Sequence, residues 1–313
     1  MKGLELASSF FEEYGKEMLN TQFADILPYI AVGLVGSGSE CYGFDDEISR
    51  DHDFEPGFCI FIPGEDVVDR RKAFELERAY SKLPMSFKGF ERSRISAVGG
   101  NRHGVIRTSD FYTAKIGKAD GELSLNDWFN IPEYALCEAV NGRVFLDNYG
   151  EFSRIRQNIS YYPEDVRRKR LAGHLLLMAQ AGQYNYNRLI LRNDTAAAQL
   201  AIFEFVKSAI SVIFLLNKKY APYYKWSFRA LNDCDITFGA PQKLEYLITS
   251  GNDKENAAKK AEIIENIAAD IVKELNKQGL SNSATAELEG QAYIVNNKIE
   301  DNQIRNEHIL YAI

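Results

Sequence analysis

Apolar residues near the start of the chain recur at helical spacing. Leu4, Leu6, Phe10, Phe11, Tyr14, Met18, Leu19, Phe23 and Ile26 predict a helix over residues 4–27. Pro28 ends that pattern, because its ring blocks the next helical hydrogen bond. YIAVGLVGSG then predicts a short buried strand running into a glycine turn. The apolar run at 58–62 predicts a second strand, closed by Pro63 and Gly64. Residues 66–83 are charged and periodic, a surface helix, while ISAVGG and GVIRTSDFYTAKIG read as further strands. Helices interleaved with strands make an α/β or α+β domain of about 150 residues.

After NGRVFLDNYGEF the pattern changes. From residue 163 onward glycine and proline become rare inside elements, and 3.6-residue periodicity predicts helices near 163–182, 185–192, 194–219, 222–234, 240–250, 254–278 and 284–312. Asp194, followed at once by a threonine and alanines, is a predicted N-cap. The expected fold class is α+β: a first domain over 1–155 built on a mixed sheet with helices, then an all-α bundle over 156–313.

Composition changes little in this picture. With 313 residues, two domains are the expectation, and 45% hydrophobic with 26% charged residues is ordinary for a globular chain. No run of about 18 uninterrupted apolar residues is present to span a bilayer, and the N-terminal stretch lacks the apolar core of a signal peptide. A cytoplasmic protein with no membrane partner is therefore expected. Cys41, Cys59, Cys137 and Cys234 are scattered without a CxxC pair, which favours reduced, mostly buried thiols. A net charge of −7 argues against an extended nucleic-acid surface.

Candidate chemistry gathers in GLVGSGSECYGFDDEISRDHDF. Gly36 and Gly38 allow a tight turn after a strand, and Ser37 and Ser39 add hydroxyl donors, so the turn suits an anion. Thirteen residues separate Ser37 from Asp51. Asp51 and Asp53, at i and i+2 on a strand, share one face, where two carboxylates repel unless a cation joins them. A triphosphate on the turn with Mg²⁺ (or Mn²⁺) held by Asp51 and Asp53 is the arrangement this spacing suggests. The bland alternative is a tight turn followed by a solvated acidic loop.

That three-part spacing resembles the signature of the DNA polymerase β-like nucleotidyltransferase superfamily. Within it, GSGSECYGFDDEISRDHDFEPGF, LNDWFNIPEYALCEAVNGRVFLDNYGEFSRIRQNISYYPEDVRRKRL, LLNKKYAPYYKW and IEDNQIRNEHIL resemble the DUF4037 family. The resemblance implies a nucleotidyltransferase-like sheet domain followed by a helical domain, with a nucleoside triphosphate, ATP first among them, as partner and an unidentified hydroxyl acceptor. It also implies a third carboxylate on a later strand. Asp110 is the first candidate and Asp147 the second, although the setting of Asp147 reads as a turn. If neither reaches the site, a nucleotide-binding sensor is the competing reading, and a toxin-like enzyme acting on protein or RNA is the third.

The helical half offers Lys225 for a phosphate and Tyr220 for a stacked base, both in YAPYYKW, against the simpler reading that this stretch packs a junction. Arg188 and Arg192 share a helix face. The run RRKR at 167–170 reads as a solvated helix face, and His103, His174 and His308 lack metal-binding spacing.

Overall fold

The computed structural model describes residues 1–50, 54–92 and 103–313. The fold is α+β and divides into two compact units. The first comprises Met1–Leu123 with Ile131–Ser160, and the second Ser124–Asn130 with Tyr161–Ile313.

In chain order the first unit runs α1 (Gly3–Phe10), α2 (Lys16–Gln22), β1 (Ala31–Leu34), α3 (Ser39–Tyr42), β2 (Cys59–Ile62), α4 (Arg70–Tyr80), β3 (Ser86–Phe87), β4 (Phe90–Glu91), β5 (Gly104–Arg107) and α5 (Thr108–Ile116). The short α6 (Leu125–Asn130) belongs to the second unit. The chain then returns for α7 (Glu133–Val140), β6 (Arg143–Asp147) and α8 (Glu151–Asn158). Between α1 and α2 the predicted first helix widens into a π-helical turn at Phe11–Gly15.

Four strands form one mixed sheet in the order β5-β2-β1-β6. β1 is antiparallel to both β2 and β6, and β2 is parallel to β5. β2 is buried along its whole length because helices cover both of its faces. Its alternation sends Ile60 and Ile62 into a core with Leu6, Phe10, Leu19 and Leu76 from α1, α2 and α4. Phe61 points the other way, stacked on Phe152 of α8 at 4.1 Å and edge-on to Phe111 of α5 at 5.3 Å.

One predicted element is corrected here. GVIRTSDFYTAKIG is not a strand throughout: only Gly104–Arg107 is extended, and Thr108–Ile116 is helical. The physical signals are those of a helix. Asp110 sits in the first turn and Lys115 in the last, as the helix dipole favours, and Gly117 closes it in the left-handed region at φ 73°. ISAVGG lies outside the described residues.

The second unit is helical: α9 (Glu164–Met178), a π-helical stretch Ala179–Tyr186, α10 (Asn187–Leu191), α11 (Thr195–Leu216), α12 (Ser227–Leu231), α13 (Ala240–Thr249), α14 (Lys254–Lys277), α15 (Leu288–Asn297) and α16 (Asn302–Asn306). Asp194 caps α11 by accepting from the Ala197 amide at 3.2 Å. The helix expected over 284–312 is interrupted because the Asp165 carboxylate accepts from the amides of Glu300 and Asp301, and Asp301 in turn caps α16. α11 is long and apolar enough to cross a membrane, yet 61% of its apolar window is buried inside the structure.

RRKR is a second correction, for it is not a solvated face. Arg167 is 2% exposed and Lys169 fully buried. Arg167 donates to the Leu215 carbonyl at 2.9 Å, Glu164 at 2.8 Å and Gln278 at 2.6 Å. Lys169 donates to Asn296 at 3.0 Å and to the Glu307 carbonyl at 2.5 Å. Arg170 reaches the Trp128 carbonyl at 3.0 Å and lies over the Tyr162 ring. Buried cations persist only when so many acceptors replace their water, and burial holds the Lys169 ammonium below its ordinary pKa.

Candidate functional site

β1 ends in the glycine turn that its sequence predicts. Gly36 and Gly38 both take positive φ, 103° and 120°, and α3 begins at Ser39. Gly36 is buried and Ser37 exposed. The Gly36 amide does not face outward: it donates to Asn141 Oδ1 at 2.8 Å, while Asn141 Nδ2 donates to the Gly36 carbonyl at 2.8 Å. One asparagine therefore fixes both polar groups of this glycine, and the turn's capacity for an anion rests on other groups.

Those groups come from α5 and α7. Lys115 Nζ lies 2.6 Å from Ser37 Oγ and 2.6 Å from Glu138 Oε2, and Ser37 Oγ donates to the same Glu138 oxygen at 2.7 Å. The Lys115 and Glu138 side chains are 20% and 15% exposed. A cation, a hydroxyl and a carboxylate thus meet at the turn, partly shielded from water, where charge-assisted hydrogen bonds are short and strong. Lys115, Glu138 and Asn141 escape the sequence reading. Lys115 had a local signal, since a lysine in the last turn of a helix behind Asp110 and ahead of Gly117 identifies α5 and hence its facing.

The acidic stretch after the turn is only partly solvated. Asp45 is 2% exposed, accepting from the Gly3 amide at 3.1 Å, and Lys2 donates to its carbonyl, so the loop is tied to the start of α1. Asp46 and Ser49 cap one another, the Ser49 amide donating to Asp46 Oδ1 at 3.0 Å. Asp51, His52 and Asp53 lie outside the described residues. Among the described residues no three His, Cys, Asp or Glu side chains gather as a metal site. The Mg²⁺ expectation therefore rests on Asp51 and Asp53 in the sequence.

Asp110 sits in the first turn of α5 rather than on a strand, exposed, lining a cavity of about 370 Å³ with Glu77, Val105 and Arg107. It is five residues before Lys115, so it points roughly 140° away around the helix. The structure does not bring it to Ser37. Asp147 ends β6 and accepts from the amides of Gly150 and Ser153, both at 2.8 Å, which ties its carboxylate to the start of α8, whose N-cap is Gly150. His103 contacts Glu55 at 3.2 Å, and its ring leaves no room for a side chain at Gly57.

The remaining candidates, Tyr220 and Lys225, belong to the second unit. Tyr220 is 5% exposed and its ring is engaged by Tyr161 at 5.4 Å and Tyr162 at 4.8 Å, so it is core. Lys225 is exposed, with its ammonium 5.1 Å from the Trp226 ring centre. Arg188 lies over Tyr184 at 4.1 Å. Ser39 opens α3, its hydroxyl within 3.5 Å of Glu40.

Fold and site together define an α+β protein with a glycine turn after its first strand and a lysine of α5 against that turn. Residues 128–227 match the family described as a domain of unknown function, DUF4037. That stretch spans the end of the sheet unit and the first half of the helical one. The glycine turn and the acidic pair precede the matched residues. No curated protein matches the chain.

Proposed function

We propose that the chain is a Mg²⁺-dependent (or Mn²⁺-dependent) nucleotidyltransferase of the cytoplasm. It moves a nucleoside monophosphate from a nucleoside triphosphate, ATP first among them, to a hydroxyl of a small molecule or protein. The observation that carries this reading is the cation at the turn, Lys115 Nζ at 2.6 Å from Ser37 Oγ. A triphosphate needs positive charge and hydroxyl donors at its outer phosphates, and these two side chains supply both.

Topology supports the same reading. Gly33 pairs with Cys59, so the chain enters β2 at the end of the sheet where β1 leaves for the glycine turn. Five residues before Cys59, at 54–58, separate β2 from the Asp-His-Asp triplet in the sequence. In the reaction, the acceptor oxygen bonds to the α-phosphorus as the bond from that phosphorus to the bridging oxygen breaks. Pyrophosphate leaves, and the hydroxyl proton passes to water. Mg²⁺ held by Asp51 and Asp53 would neutralise charge on the reacting phosphates. Lys115 and Ser37 hold the departing pyrophosphate.

A binding sensor without turnover is the second reading. It is favoured by β5, the strand parallel to β2, which carries Gly104, Val105, Ile106 and Arg107 and no acid. The two part on pyrophosphate release from the four nucleoside triphosphates with Mg²⁺, with and without a cell extract. Transfer requires release by the wild type, its loss in Asp51→Asn/Asp53→Asn, and a fall in kcat/KM of about 10- to 100-fold in Lys115→Ala. Mg²⁺-dependent binding without release establishes the sensor. Neither binding nor release leaves the turn a structural one.

A further inference from the structure

We propose that Glu138 is an internal competitor for the phosphate site, a carboxylate that holds Ser37 and Lys115 until the outer phosphates of a nucleotide displace it. The inference rests on the nucleotidyl-transfer reading and adds a control to it.

The grounds are the number of protons and the placement of charge. Ser37 has a single hydroxyl proton, and it is donated to Glu138 Oε2 at 2.7 Å. A phosphate oxygen at neutral pH only accepts, so Ser37 cannot serve both at once. Lys115 is already shared, its Nζ 2.6 Å from Ser37 Oγ and 2.6 Å from the same Glu138 oxygen. A phosphate brought to Lys115 while Glu138 stays would set two like charges on one ammonium in a partly buried place, which is unfavourable. If the carboxylate swings out instead, Ser37 Oγ and Lys115 Nζ both lose that acceptor, and a phosphate oxygen can take its place. α7 can permit this without unfolding, because only the Glu138 side chain need turn. Asn141, at the end of α7, keeps the backbone of the turn fixed through Gly36 while that happens.

The alternative is that Glu138 is a positioning residue, aiming Lys115 at the phosphate and remaining in place. The two roles predict opposite signs. In Glu138→Gln the shape is kept and the charge removed. If the carboxylate competes, affinity for ligand rises; if it positions the lysine, affinity falls.

The test is isothermal calorimetry on the full chain with ATP and with inorganic triphosphate, in the presence of Mg²⁺. Competition predicts that Glu138→Gln binds both about tenfold more tightly than the wild type. Glu138→Asp, which keeps the charge but shortens the reach, should gain less, and Glu138→Gln/Lys115→Ala should lose the gain. Glu91→Gln, the same charge change on the β4 hairpin, should leave Kd unchanged. Equal or weaker binding by Glu138→Gln, with the wild type still binding, overturns the proposal alone and leaves nucleotide binding standing. A comparable gain in Glu91→Gln also overturns it, because the effect would then be one of net charge. No binding by any variant removes the nucleotide reading and the competitor with it.

Discussion

Among the described residues, the charged neighbours acting on His174 are cations. It is buried in α9, and burial, then the charges of Arg170 and Lys207, push its imidazole down to about 3. In the unfolded chain it titrates near 6.5. Between those values the unfolded state binds a proton that the folded state refuses, so stability falls as pH drops from about 6.5 towards 3. The slope from this one residue reaches at most about 1.4 kcal/mol per pH unit. Urea midpoints across that window should decline in the wild type and decline less steeply in His174→Leu. Parallel slopes would show that other groups govern the acid limb. At the same scale, Ser37 and Gly36 were legible because a glycine turn after a strand is a local pattern. Their partners were not. Lys115 lies 78 residues from Ser37, Glu138 lies 101 from it, and Asn141 lies 105 from Gly36, distances over which no spacing rule operates.

Among the elements, β1, β2, α4, α11, α13 and α14 follow from periodicity and punctuation, since each is a run of one period bounded by a cap or a breaker. α5 hides because no breaker separates it from β5: Arg107 of the strand is followed directly by Thr108 of the helix. The β3–β4 hairpin is equally hard to see: its two turn residues, Lys88 and Gly89, both take positive φ, but lysine is a poor signal for that turn. The contact that matters most for the site is the one closing β6 against β1. Gly142 has φ 66°, and a Cβ there would stand 2.1 Å from the Leu34 carbonyl oxygen and 2.8 Å from the Val35 Cα. Gly142→Ala should therefore push the Asn141–Gly142 corner away from β1 and undo the paired hydrogen bonds to Gly36. A loss of about 2–4 kcal/mol in urea unfolding is expected. A change below about 0.5 kcal/mol would mean that the corner yields freely and does not anchor the turn.

At the scale of the molecule, the sequence divides the chain at 155/156 and gives no sign of the detour of α6. Seven residues, Ser124–Asn130, leave the sheet unit for the helical one before Ile131 resumes the former. Periodicity cannot reveal this, because so short a helix reads the same whichever core receives it. The detour has a reason in packing: Trp128 lies against Tyr162 with ring centres 5.8 Å apart, and the Trp128 and Phe129 carbonyls accept from the buried Arg170. Trp128→Ala should thus lower hydrogen-exchange protection along α9 and α11 while leaving β1 and β2 as protected as before. Loss of protection in the strands instead would place Trp128 in the wrong unit.

The same detour sets an order of events on the ribosome. A chain made from its N-terminus exposes Trp128 before Tyr162 and Arg170 emerge, while β6, needed to complete the sheet, emerges in between. The first unit can close over its own core during that interval, but a large indole waits outside it. Nascent chains halted just after residue 160 has left the ribosome would carry a finished sheet and one bare aromatic hook, the kind of feature that chaperones hold.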